Sequence, residues 1–468
     1  MNVPEIRPWR AIAAVLLAIM PIGIATAEEI NLETAVALAL NSNLGIESEL
    51  LTVRQKKLIA DTWWNRFYPS ISANASLARR NVNPATTFLE PVADSVTGNG
   101  TFDEVGFSTF ESPRWGASLG LDMSLILTLQ TIPGLNLARL DYESGLIDLA
   151  DARARIERDV SQQFYELLLL REQISLTEEQ IATAERRYEQ ARINYDNGLI
   201  DEFTLLSSQV QVENLRPALT GLQVAYQQAL LGFKNSLGMP LTAEVTPVGT
   251  IDPPEITIRY EELDENRLRS RFDVQQLQQY GLILQAQRQA TDLNPQGGRA
   301  PYLRFGWSLD PTFGGDPWED NLFDPDLWEQ NSGMFTISIV QPIDPWLPFS
   351  QTRNALADFD RQILQNEIAI EQTLRGAEIG IRGLLLSIRT SQETIVALEE
   401  NIRLARRAYE LAEIGYDNGL RDLLEVESAE VDLKDAEFQL LEEQKNIMSN
   451  LLDLVYELGT SIEVISEG

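Results

Sequence analysis

Neither cysteine nor histidine occurs in the 468 residues. Without cysteine there is no disulfide framework and no thiol for lipid attachment. Losing both residue types removes Ser-His-Asp and Cys-His catalysis and the usual zinc ligand sets. Basic residues are scarce: 37 Lys and Arg against 70 Asp and Glu leave a formal net charge of −33. Such a chain repels nucleic acid and anionic surfaces and tolerates cationic or neutral cargo. Long apolar runs are absent past the N-terminus, so no later segment can cross a bilayer as a helix, and any insertion there must use strands. The exception, Ala11 to Ile24, follows Arg7 and Arg10 and precedes Ala25-Thr26-Ala27, the small-x-small pattern of a cleaved leader. It falls short of the roughly 20 residues a spanning helix needs, so residues 1–27 are expected to be a signal peptide.

What is present is a duplication. Glu185 to Leu199 returns 221 residues later as Arg406 to Leu420, with ten of fifteen positions identical and Tyr-Asp-Asn-Gly-Leu intact in both copies. The register continues without insertion, Leu219, Tyr226, Leu230, Phe233 and Leu237 matching Leu440, Ile447, Leu451, Leu454 and Leu458. Apolar residues at three- and four-residue steps from Gly134 to Asn194, with no proline, predict a very long amphipathic helix. The second copy repeats it from about Gln351 to Gly415. Each runs into the shared pentapeptide, where Asn-Gly supplies a left-handed stop. Asp201 and Asp422 then stand as caps of return helices, and Glu425 completes a capping-box pattern in the second copy. Both halves therefore contain helical hairpins whose 3.5-residue repeat suits coiled-coil packing. Pro217 is expected to kink the first return helix.

Four segments alternate with period two instead: Ile71 to Leu77, Trp115 to Met123, Leu303 to Leu309 and Phe335 to Ile339. Each reads as a strand of about nine to eleven residues with one apolar and one small or polar side, the length and pattern of an outer-membrane strand. Trp115, Leu119, Trp307, Phe335 and Ile337 are expected to face lipid. The strands come in pairs joined by polar loops at about 79–113 and 310–332. The second loop carries seven carboxylates, read as a solvated surface rather than a cation site. The organisation is thus a signal peptide at 1–27 and a first repeat at 28–240, with a helix, strands near 67–79 and 113–127 and a hairpin at 134–237. A connector follows at 241–262, then a second repeat at 263–468 with a helix, strands near 301–310 and 333–342 and a hairpin at 350–458. Four strands cannot close a barrel, for which about eight is the minimum. Two copies would supply eight and three copies twelve.

A leader, then helix, two strands and long hairpin, twice over, with Tyr-x-x-Gly-Leu turns, resembles the TolC-type outer-membrane efflux proteins across essentially the whole mature chain. The resemblance implies a mainly α protein with a membrane β-barrel: a homotrimer whose twelve strands, four per chain, close a barrel continuous with a long periplasmic α-helical barrel. It implies a passive duct in the outer membrane extending into the periplasm. Through this duct an inner-membrane efflux or ABC transporter and a periplasmic adaptor would export small molecules or proteins. It makes 241–262 an equatorial connector, Gly198, Leu199, Gly419 and Leu420 the adaptor-docking tip, and Tyr416, Arg421, Glu425 and Tyr195 the gate. Glu425 takes one acidic position of the family's constriction and Ser428 the other; Phe203 and Thr204 stand where relatives can carry Thr and Asp. No catalytic residue, cofactor, metal site or nucleic-acid partner is implied. The rival reading is a non-conducting tether between outer membrane and periplasm. An enzyme would need a nucleophile, metal set or phosphate loop that the sequence does not offer.

Overall fold

The computed structural model describes residues 28–79, 85–91, 105–111, 115–254, 265–329 and 332–459. The expected signal peptide, 1–27, lies outside them, as do parts of the loop at 79–113 and of the connector. The described residues divide into two compact units, one formed by those of 53–145 and 277–370, the other by those of 28–52, 146–276 and 371–459.

The first of these is built on an antiparallel sheet of β2 (Ser70–Arg79), β5 (Trp115–Thr128), β7 (Tyr302–Leu309) and β8 (Gly333–Val340), in the order β2-β5-β7-β8. All four strands were legible from alternation, to within a few residues at each end. Register sorts the side chains cleanly. Ile71, Met123, Trp307 and Phe335 form one cross-strand row, while Ser70, Ser124, Gly306 and Thr336 form the next. The apolar row leaves Ile71 and Phe335 well exposed. On the other face hydroxyls satisfy one another, Ser70 with Ser124 at 2.8 Å and Ser76 with Ser118 at 2.7 Å. Among the described residues the outer edges of β2 and β8 have no strand partner.

The segment expected as a polar loop, 79–113, is corrected in part: β3 (Ala85–Pro91) and β4 (Val105–Glu111) pair as a second antiparallel ribbon. Thr and Phe in both short runs favour strand, a signal that the flanking polar and Gly-rich residues hide. The loop at 310–332 folds back on β5, Leu119 N–H donating to the Pro311 carbonyl at 3.0 Å and Phe313 N–H to that of Ala117 at 2.8 Å. Its carboxylates close turns. Asp320 accepts the Asp316 N–H at 2.8 Å, and Asp316 that of Trp318 at 3.0 Å.

In the same unit β5 leads through a Pro-containing first turn into α3 (Thr131–Asp196). That helix begins three residues before the expected Gly134 because proline is tolerated in the first turn. Gln279 of α6 (Phe272–Asp292) donates to the Leu140 carbonyl at 2.8 Å, and Lys56 of α2 (Leu44–Asp61) pairs with Asp141 at 3.2 Å.

The second unit holds most of α3, α4 (Glu202–Ser236), α7 (Gln351–Asp417) and α8 (Leu423–Leu458), together with α1 (Leu32–Ser42). Its core draws on all five. Ala35 and Ala39 of α1 pack with Val160 and Phe164 of α3, Phe233 of α4, Ile381 of α7 and Leu454 of α8. Three of the duplicated pairs, Leu230 with Leu451, Phe233 with Leu454 and Leu237 with Leu458, are buried here in both copies. α4 continues through Pro217. Gly238 then turns at φ 70°, where a Cβ would collide with the Ser42 carbonyl, so only glycine lets the end of α4 approach α1 so closely. The connector contains a short strand that the sequence reading did not assign. β6 (Val245–Pro247) pairs in parallel with β1 (Glu28–Ile30), a pair too short for periodicity to reveal.

Candidate functional site: the two hairpin turns

The turns are built by the same bonds twice. Gly198 N–H donates to the Tyr195 carbonyl at 2.8 Å and Leu199 N–H to that of Asn194 at 2.8 Å; the second copy repeats them from Gly419 to Tyr416 at 2.9 Å and Leu420 to Gly415 at 2.8 Å. Asn197 and Asn418 each return a side-chain amide to the carbonyl four residues back, at 2.8 and 2.7 Å. Gly198 and Gly419 sit at φ 71° and 70°, the left-handed conformation that closes a helix. This geometry throws Leu199 and Leu420 into solvent, 73% and 83% exposed. The caps are as expected. Asp201 accepts the Thr204 N–H at 2.9 Å and Asp422 that of Glu425 at 2.9 Å. Bonds from the Thr204 hydroxyl and N–H hold the Asp201 carboxyl below its usual range.

Of the expected gate residues, Arg421, just before the α8 cap, and Glu425, in the first turn of α8, come together, Nη1 to Oε2 at 2.8 Å. Glu425 thus spends its carboxylate on Arg421 and not on a reciprocal capping-box bond to Asp422. Tyr416 and Tyr195 contribute their carbonyls to the turns. Just past the turns Phe203, Leu206 and Val210 of α4 face Leu424 and Val431 of α8 across a groove of about 730 Å³, with Glu427 and Asp432 on its wall.

The sequence reading missed the polar cluster further along the hairpins. Arg187 of α3 forms an ion pair with Glu430 of α8, and both side chains are nearly buried. Arg187 also donates to the Tyr409 hydroxyl at 3.2 Å, which donates in turn to Glu413 at 3.2 Å. The available signal was a break in the duplication: Arg187 and Glu430 correspond to Ala408 and Gln209 in the other copy. Burial, the main cause, pushes the Glu427 carboxyl above its ordinary value; Arg187 pulls it back in part and Glu430 adds to the rise. A carboxyl held above its unfolded value adds stability below that value, near 4.5. The contribution is lost as pH rises through the folded value. Glu427→Gln is therefore expected to raise the thermal midpoint near neutral pH and to match wild type below about pH 4. A pH-independent difference would show that the charge of Glu427 is not the cause.

Among the described residues no cluster of acidic side chains is placed to hold a metal ion, and no helix is long and apolar enough to cross a membrane. A family model for outer membrane efflux proteins matches residues 37–239 and 311–460, well over half of the chain. The chain belongs to that family. No curated protein matches it, but solved outer membrane proteins share its fold. The CmeC outer membrane channel of Campylobacter jejuni superposes with a TM-score of 0.71 at 15% identity, covering 98% of this chain and 93% of its own. MtrE of Neisseria gonorrhoeae, solved in its open state, gives 0.67 at 17% identity, covering 93% and 91%. VceC of Vibrio cholerae gives 0.65 at 17%, covering 92% and 96%. The outer membrane efflux family is one of channels, and the duplicated hairpins and four-stranded sheet described above are its fold.

Proposed function

We propose that three copies of this chain form a passive duct through the outer membrane, closing twelve strands into a barrel. Through it an inner-membrane pump and a periplasmic adaptor, received at Gly198, Leu199, Gly419 and Leu420, export small molecules or proteins. The observation that carries this is the sheet, with one face apolar, one face hydroxyl-lined, and both edges open. Strands in lipid need every backbone group paired and an apolar exterior around a wet interior. Joining β8 of one copy to β2 of the next meets both demands.

The duplication supports the same ring. Within the chain α3 meets α8 through polar pairs, Arg158 and Gln162 with Asp453 and Glu166 with Lys445. Shifting those positions by one repeat gives Ile379, Gly383 and Ser387 on α7, and Gly232 and Val224 on α4. A Cβ on Gly383 or Gly232 would meet nothing within 4 Å. These small and apolar surfaces suit close packing against a neighbouring copy.

Tyr416 and Arg421 form the gate in this reading. The Arg421 and Glu425 pair is about half exposed, and such pairs are worth under about 1 kcal/mol, so Arg421 can exchange that partner for one on a neighbouring hairpin. Purified protein in a planar bilayer should give discrete channels, and its detergent-extracted mass should be that of three protomers. Changing Tyr416→Phe and Arg421→Ser together should raise single-channel conductance at unchanged trimer yield. Absence of any conductance from a verified trimer would favour a tether. Wild-type conductance in the double variant would move the gate elsewhere.

A further inference from the structure

The two hairpins are clasped at equivalent places by ion pairs of opposite sign. In the first, Glu185 of α3 meets Arg216 of α4 at 3.2 Å. One repeat later, Arg406 of α7 meets Glu437 of α8 at 3.0 Å. The positions correspond residue for residue, Glu185 to Arg406 and Arg216 to Glu437, so the contact has been kept while both charges were reversed. The third member follows the rule: Glu213 stands 3.8 Å from Arg216, and its counterpart Lys434 stands 2.9 Å from Glu437. The pentapeptide between the helices is unchanged between copies, so the clasp is reversed beside a turn that is kept; Arg192, whose counterpart is Glu413, is a further reversal and pairs within its own helix.

Duplication creates a recognition problem that this inversion answers. α3 touches both return helices, α4 through Glu185 and α8 through Arg187 and Glu179. With the same core pattern in both copies, either return helix could take either seat, within a chain or between chains. We infer that the inverted clasps are a pairing code that assigns each outgoing helix its own return helix. A wrong pairing would set Glu185 against Glu437 and Arg406 against Arg216, so the correct pairs attract and both exchanged pairs repel. This holds whether or not the assembled protein conducts.

The test uses the full chain, in which each clasp is reversed separately and then both together. Glu185→Arg with Arg216→Glu keeps an ion pair locally but gives both hairpins one polarity; Arg406→Glu with Glu437→Arg does the same from the other side. The four-residue variant restores opposite polarities. Each two-residue variant is expected to lower the refolded yield of trypsin-resistant protein about tenfold at low salt, and the four-residue variant to recover most of it. Screening should shrink the effect at molar salt. Local costs, such as Glu at 216 beside Glu213, persist in the four-residue variant and add, so they cannot produce recovery. A four-residue yield equal to the product of the two defects, or wild-type yields from both two-residue variants, would overturn the code.

Discussion

Replacing Glu430 with Ala is expected to cost about 3–5 kcal/mol, the largest single-residue loss in the helical unit. The carboxylate lies between α3 and α8 against Arg187, with only 11% and 13% of the two side chains accessible. Removing it leaves a guanidinium that is largely cut off from water, with the Tyr409 hydroxyl as its remaining described hydrogen-bond partner. The cost comes from that stranded charge more than from the lost attraction, since taking charges out of water roughly cancels what they regain from each other. The paired change Arg187→Met with Glu430→Leu should therefore recover most of the loss. Thermal and urea unfolding of the detergent-extracted protein, followed by helical circular dichroism, would measure both. A loss below about 1 kcal/mol for Glu430→Ala would mean that water reaches the pair and that it behaves as a surface bridge.

The second large effect is expected at the sheet. Met123 lies in the all-apolar row with Ile71, Trp307 and Phe335 and is flanked by strands on both sides. If that row faces lipid as proposed, Met123→Arg should destabilise the inserted protein by about 2–4 kcal/mol. Ser124→Arg, one residue on and directed to the hydroxyl-lined face, should cost far less. The comparison is read as the amount of assembled protein in outer-membrane fractions. Equal depletion by both variants would remove the assignment of inside and outside, whereas a reversed order would turn the sheet over.

Most of the architecture was legible because it is written in local period. Steps of three and four residues gave the hairpins, alternation gave β2, β5, β7 and β8, and the repeat of Tyr-Asp-Asn-Gly-Leu fixed the turns, including both left-handed glycines. What stayed hidden was masked by polar and Gly-rich neighbours, as at β3 and β4, or was non-local or very short. Glu28–Ile30 and Val245–Pro247 are three residues each and far apart in sequence, so no window contains enough of either to show a pattern. Arg187 and Glu430 are 243 positions apart; periodicity places each on a helix face but does not name its partner. At the turns, Arg421 and Glu425 are one helical turn apart, and their pairing follows from spacing alone.

If three copies close a barrel as proposed, the open edges of β2 and β8 bear on how the protein enters the membrane. A lone chain entering lipid would carry two rows of peptide groups with neither water nor protein to bond, each a cost of several kcal/mol. Insertion is then not an event a single chain can complete. It waits on the encounter of copies, so its rate climbs steeply with the amount of chain delivered. Scarce protein leaves waiting monomers in the aqueous compartment instead of partial, leaking pores. On the proposed reading, integrity of the permeability barrier is secured by stoichiometry, before any gate has been assembled to guard it.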